Sequence, residues 1–237
     1  MNFSKHLKYN NAVLIPKNKK SRKRMKNFKV TFYCLEPERI ELLRFAKRIH
    51  KKGKILMDPI EICQLATIVK NTSKIKGDIA EVGVYKGGSA KVISKYKKNK
   101  KLHLIDTFKG LPKGQGQDKN VISKVTYTKG QYKADIDSVK KMLSKYNNIQ
   151  IYKSRFPENS QKLKKKCFSL VHLDLDIYQS TYDCLSFFYK RMTKGGIIIT
   201  HDYQNSSGVR KAFDSFFLDK PETIIELAGT QALIVKI

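Results

Sequence analysis

The sequence predicts an α/β fold: a doubly wound, mostly parallel, seven-stranded Rossmann-like sheet with helices at its N-terminal side. Three observations carry this. From Asp78 onward, short apolar strand patterns alternate with helical patterns, which is the mark of a parallel sheet covered on both faces. The stretch from Gly77 to Ser89, GDIAEVGVYKGGS, reads as strand, glycine turn and helix. Ionisable residues then gather at the ends of two later strands, as His172-Leu173-Asp174-Leu175-Asp176 and as His201-Asp202-Tyr203.

Taken in order, residues 1–28 contain KNKKSRKRMK and few apolar side chains, so they read as a basic, solvated tail. A nucleic-acid arm or a localisation signal is the alternative reading. Residues 29–237 read as one domain, with helices over 37–70 and a core over 77–237. Pro37 opens the first helix, and Leu42, Leu43, Phe45, Ala46 and Ile49 give it an apolar face. In the second, Asp58 is the cap, Pro59 suits the first turn and Glu61 closes a capping box. Ile62, Leu65, Ala66 and Val69 supply its buried stripe. The first strand ends at Glu81-Val82, and its helix runs to about Lys97. Strands are expected over 102–105 (ending in Asp106), 149–153, 168–174 and 197–200, with a closing pair over 223–227 and 232–237. Helices are expected over 181–191 and 208–218, and Gly195-Gly196 should end the unit before the fifth strand. The connection over 107–135 is long, polar and glycine-bearing. Compact domains rarely keep such a loop without a role, so it reads as a mobile lid over the substrate, with a disordered insertion as the alternative.

A length of 237 residues suits one domain with a sizeable core. The formal net charge is +29, and only eight of the 49 basic residues are Arg. The lysines are spread along the chain rather than gathered in one motif, which favours a compositional origin and no specific nucleic-acid partner. The competing reading is an acidic partner: nucleic acid, an anionic lipid surface or a phosphorylated glycan. Cys34, Cys63, Cys167 and Cys184 show no metal or redox spacing and read as buried thiols in a reducing compartment. No run reaches transmembrane length and no signal peptide is visible, so the cytoplasm is the expected location and a homo-oligomer stays open.

The glycine turn has the pattern E-x-G-x-x-x-G-G, with Tyr85 where a dinucleotide fingerprint would need its second glycine. It resembles the first motif of class I S-adenosylmethionine (SAM) methyltransferases. Asp106, at the end of the second strand, can accept hydrogen bonds from ribose hydroxyls or serve as a cap or turn aspartate. Asp174, His201 and Asp202 fall at the same edge of a parallel sheet. Their carboxylates suit Mg²⁺ or Ca²⁺, whereas the imidazole tilts preference toward Mn²⁺, Fe²⁺ or Zn²⁺. His172, inside its strand, reads as a core histidine, and Asp176 as a reserve ligand or a turn residue.

The segments AEVGVYKGGSA, LHLIDTFKGLP, SLVHLDLDIYQSTYDCL and KGGIIITHDYQNSSGVRKAFDSF together resemble the macrocin O-methyltransferase family, over about residues 57–236. That resemblance implies a class I methyltransferase fold, SAM as methyl donor, a divalent ion (usually Mg²⁺) and a sugar hydroxyl as acceptor. It implies that Glu81, Gly83, Gly87, Gly88 and Ser89 contact SAM, with Tyr85 and Thr107 beside them and Asp106 on the ribose. It puts Asp174, His201 and Asp202 at the metal-ligand positions, with Asp174 and Asp202 catalytic. The family usually carries Asp-Asp-Tyr where this chain has His201-Asp202-Tyr203, so Mn²⁺ joins Mg²⁺ as a candidate. A lid histidine is the family's base, and residues 107–135 contain none. The expected acceptor is a small molecule or glycan, with an anionic one favoured by the charge. RNA methyl transfer, or a catalytically silent SAM-fold binding protein, is the alternative.

Overall fold

The computed structural model describes residues 37–158 and 160–237. The expected basic tail and Cys34 lie outside them. The chain divides into Met1–Glu41 and Leu42–Ile237, and the sheet belongs to the second unit.

Helix α1 (Pro37–Lys51) buries Ala46 and Ile49. Helix α2 (Pro59–Thr72) starts as the capping box predicts: the Asp58 N–H donates to Glu61 Oε2 at 2.9 Å. Such a cap stabilises a helix by about 1 kcal/mol. The alternating part comprises β1 (Asp78–Val82), α3 (Gly88–Tyr96), β2 (Leu102–Asp106), α4 (Ile136–Leu143), β3 (Ile149–Lys153), β4 (Phe168–Leu173), α5 (Tyr178–Phe188), β5 (Met192–Thr200), α6 (Ser207–Phe217), β6 (Ile225–Glu226) and β7 (Ala232–Val235).

The seven strands lie in the order β3-β2-β1-β4-β5-β7-β6. Strands β1 to β5 are parallel neighbours, and β7 runs antiparallel to β5 and β6. The order reverses between β1 and β4, and doubly wound sheets bind ligands outside the carboxyl ends of the strands at such a switch. Side chains alternate between two apolar layers. Ile79, Leu104, Leu170 and Ile199 face α1 to α4, whereas Ala80, Ile105, Val171 and Ile198 face α5 and α6.

Several expectations need correcting. Gly195-Gly196 lies inside β5: Met192 pairs with Phe168 and Ile197 with Leu170, so the extra residues bulge, with Gly195 at φ 79°. Helix α5 starts at Tyr178, before the expected 181, and a 3₁₀ turn takes over at Tyr189. Helix α4 was not anticipated. Asp135 caps it by accepting the Asp137 and Ser138 N–H groups, and Val139 and Leu143 are its buried side chains. Of the described cysteines only Cys184 is buried; Cys63 is half-buried and Cys167 exposed. No helix among the described residues is long and apolar enough to cross a membrane.

Candidate active site

At the switch point the ends of β1 and β4 nearly touch. Gly83, at φ 90°, passes so close to Asp174 that a Cβ would lie 1.8 Å from the Asp174 carbonyl oxygen. Glycine is therefore required by the packing of two strand ends, rather than by a ligand's approach. Gly87 and Gly88 are likewise packed on the chain, against Met142 and Val139 and against Ile55 and Lys54. Beyond the turn, the carboxylate of Asp106 accepts N–H bonds from Val84 (2.7 Å), Tyr85 (2.8 Å) and Phe108 (2.7 Å). Asp106 thus fixes the turn, with about one of its four lone-pair sites left over.

A cavity of about 640 Å³ opens here, lined by Gly83, Tyr85, Gly88, Ser89, Asp106 and Thr107 on one side and by Asp174, Asp176, His201 and Asp202 on the other. Two of the sequence-predicted cofactor residues do not line it. Gly87 is turned into α4. Glu81 is fully buried, because register places it opposite His172, whose Nδ1 lies 2.9 Å from Glu81 Oε1. Burial raises the Glu81 carboxyl above its ordinary range despite that partner. Its Oε2 and His172 Nε2 are left without hydrogen bonds, so His172 is a core histidine only half satisfied.

The segment over 107–135 is an ordered wall rather than a disordered insertion. Asp118 is buried and pins it, accepting the Tyr178 N–H at the start of α5 at 2.8 Å and the Gln115 N–H at 2.8 Å. Gly208 leaves the room for this, since a Cβ there would lie 2.2 Å from Asp118 Oδ1. The wall brings Tyr127 and Tyr132 to the cavity, and Tyr132 packs edge-on to Tyr85 at 5.8 Å. Burial, then the Asp176 charge, pushes both phenols up, so they remain neutral hydrogen-bond donors. Sequence reading missed both tyrosines, since tyrosines in a polar loop carry no spacing signal.

The ends of β4 and β5 bring together the residues expected there. Leu170 and Ile199 face the α1–α4 layer, and the two-residue period of a strand sends Asp174 and His201 the same way. Asp202, at φ 59°, turns its carboxylate back beside the imidazole. His201 Nδ1 lies 2.8 Å from Asp202 Oδ2 and 3.4 Å from Asp174 Oδ1, close to both yet without a well-directed hydrogen bond. Its Nε2 faces Glu61 Oε2 at 3.4 Å. Burial opposes charge on this imidazole, but the Asp202 and Asp174 carboxylates outweigh it and hold the pKa well above the usual range. Burial also works against ionised Asp174, and His201 more than compensates. Asp176 goes the other way: burial, then Asp202 and Asp174, push it well up. Donor atoms of Asp174, His201 and Asp202 lie within 4.8 Å of one another. Two carboxylates and a buried, unbonded ring nitrogen suit a divalent cation, which neutralises the same carboxylates that the imidazolium does. Glu61, expected only as a cap, is the group missed here.

Known proteins resemble this chain in sequence and in fold. The profile described as Macrocin-O-methyltransferase (TylF) matches residues 51–225. The 8-demethyl-8-(2,3-dimethoxy-alpha-L-rhamnosyl)-tetracenomycin-C 4'-O-methyltransferase of Streptomyces olivaceus is 23% identical over 141 residues, 54% of each chain. The mycinamicin III 3''-O-methyltransferase of Micromonospora griseorubida is 24% identical over 144 residues, 54% of this chain and 56% of that one. The chain thus spans about half the length of the curated relatives it matches. The O-methyltransferase NovP shares the fold, with a TM-score of 0.66 at 18% identity over 77% of this chain and 81% of NovP. With most of the sheet and every strand-end residue of the site inside the matched segment, the chain belongs to the macrocin O-methyltransferase family.

Proposed function

We propose that this chain is a cytoplasmic SAM-dependent O-methyltransferase that methylates a hydroxyl of a sugar or glycoside with the help of a divalent cation. The observation that carries the reading is that one cavity holds both the glycine turn with Asp106 and the Asp174–His201–Asp202 cluster. Gly83, Tyr85, Gly88 and Ser89 would hold the methionine end of SAM, and Asp106 and Thr107 the ribose. Glu81 would act from behind the wall through its unbonded Oε2. SAM, when bound, supplies an electrophilic sulfonium methyl group. A divalent ion held by Asp174, His201 and Asp202 would lower the pKa of a hydroxyl and orient its oxygens.

The chain's own contribution is mainly alignment and exclusion of water. The Gly83–Asp174 contact fixes the distance between the two halves of the site. Tyr127 and Tyr132 cover the acceptor side and offer neutral donors. Lys54, Lys109, Lys129 and Arg155 also line the cavity, and none forms an ion pair among the described residues. They favour an acceptor that carries phosphate, such as a nucleotide-linked sugar. The relatives' names, on rhamnosyl-tetracenomycin and mycinamicin III, support a glycoside acceptor.

The test is transfer of labelled methyl from SAM to a panel of deoxyhexosides and nucleotide-linked sugars, with and without chelator. Transfer that chelator stops and Mg²⁺ or Mn²⁺ restores supports the reading, and undiminished transfer in chelator removes the cation from it. The +29 charge keeps RNA methyl transfer as the second reading. If the lysines are compositional, RNA should bind only at roughly 10⁻⁴ to 10⁻⁶ M at physiological salt. Nanomolar, sequence-selective binding would promote that reading instead.

A further inference from the structure

Glu61 does more than cap α2. Its side chain is buried, and its carboxylate is gripped on the side away from the cluster. Oε1 accepts the Thr230 N–H at 2.7 Å and the Thr230 hydroxyl at 2.8 Å. The turn before β7 closes on it so tightly that a Cβ on Gly229 would lie 2.6 Å from Oε1. Oε2 takes the Asp58 N–H at 2.9 Å and faces His201 Nε2 at 3.4 Å. The carboxylate is thus fixed by α2 and by the β6–β7 connection, with its remaining lone pair toward the imidazole.

Two tautomers of a neutral His201 are conceivable, and this geometry separates them. A proton on Nδ1 would leave the Nε2 lone pair facing the Glu61 carboxylate, which is repulsive. With the proton on Nε2, Glu61 accepts it, and the Nδ1 lone pair points into the cluster. There it meets Asp202 Oδ2 at 2.8 Å and Asp174 Oδ1 at 3.4 Å with no hydrogen bond of its own. With His201 neutral in this tautomer, three lone-pair donors converge there, and a cation takes the place of the proton that the imidazolium would otherwise supply. We infer that Glu61 is the residue that positions His201 as a metal ligand, so that the site selects a divalent ion that accepts nitrogen more readily, such as Mn²⁺, over Mg²⁺. The inference rests on the metal-assisted reading above. An outer carboxylate that holds a ligating imidazole fixes its tautomer and raises its basicity. An imidazole ligand moves preference from Mg²⁺, which is satisfied by oxygen and water, toward Mn²⁺ or Fe²⁺.

The test is a double-mutant cycle on the full chain. Mn²⁺ binding is measured by the loss of the free-ion electron paramagnetic resonance signal, and Mg²⁺ binding by competition. Glu61→Gln should weaken Mn²⁺ by about 10- to 100-fold and narrow its advantage over Mg²⁺, while SAM binding stays unchanged. In a His201→Asp background the same Glu61→Gln change should leave Mn²⁺ affinity unaltered. Equal losses in both backgrounds would make Glu61 a mere clamp between α2 and β7 and overturn the inference, as would unchanged Mn²⁺ affinity in Glu61→Gln alone. Should Glu61→Gln fail to fold, His201→Asp by itself still decides: it should shift preference toward Mg²⁺, and an unshifted ratio contradicts the assignment. If the wild type binds SAM but neither ion, the metal-assisted reading falls together with this one. Mn²⁺ binding without the cycle's coupling defeats this inference alone.

Discussion

The two halves of the cavity are built on opposite electrostatic terms. Where β1 and β2 end, the charge beside the turn is met inside the protein: the carboxylate of Asp106 is taken up by the N–H groups of Val84, Tyr85 and Phe108. Where β4 and β5 end, Asp174, Asp176, Asp202 and Glu61 crowd one imidazole whose Nδ1 makes no hydrogen bond. The first half is finished by folding. The second is left with excess negative charge, which only a proton or a bound cation relieves. The two lie together because Gly83 lets β1 pass against Asp174, so the finished half sets the position of the unfinished one. A carboxylate removed from the first should therefore cost stability, and one removed from the second should cost chemistry.

The largest effect on stability belongs to the shared contact. Gly83→Val would put a branched side chain onto the Asp174 backbone at a left-handed φ. Overpacking and the wrong backbone region together should cost at least about 3 kcal/mol, measured by urea denaturation. A folded Gly83→Val with only its SAM affinity reduced would mean that the turn answers to the ligand and not to β4.

Asp106→Ala comes next. It strips three N–H groups of their acceptor, so about 1–3 kcal/mol of stability should go, along with SAM affinity. If stability is unchanged, the first half is not finished by folding, and the contrast with the second half fails.

A smaller effect concerns acid. Burial opposes the charge on Glu61, but His201 and the Thr230 and Asp58 N–H groups bring its pKa from 4.5 down to about 2. A carboxylate depressed on folding adds stability that is fully present above its unfolded pKa and is lost as pH falls through its folded value. Stability should therefore decline between about pH 4.5 and 2, and Glu61→Gln should flatten that decline in acid titrations followed by circular dichroism. An unchanged acid profile would show that Glu61 is not tied to the cluster.

How much of this was legible in the sequence differs between the halves too. Asp174, His201 and Asp202 could be placed together because strand ends in a parallel sheet share an edge, and that holds whatever the side chains touch. The parallel, doubly wound sheet followed from alternation alone, whereas its strand order did not. What the glycines are for was not legible: Gly83 contacts a residue 91 positions away in sequence, and no local pattern reports so close an approach. Glu61 was hidden by its own local explanation, since the capping box accounts for a glutamate there without reference to β5. Helix α4 was obscured by the polar segment before it, whose order depends on Asp118 reaching the start of α5. Each of these is a tertiary contact, and period and composition carry no trace of it.

The central claim is that one half of the cavity holds the methyl donor and the other acts on the acceptor. A side-by-side determination of SAM affinity and methyl-transfer rate in Asp202→Asn tests it most directly. Stability should change by less than about 1 kcal/mol, because the lost attraction to His201 is offset by relief from Asp174 and Asp176. SAM should bind as it does to the wild type, and the rate should fall by at least about 100-fold, since cation-assisted charge stabilisation is worth several kcal/mol. A rate that survives Asp202→Asn, or a SAM affinity that falls in step with the rate, would contradict the division of labour between the two halves.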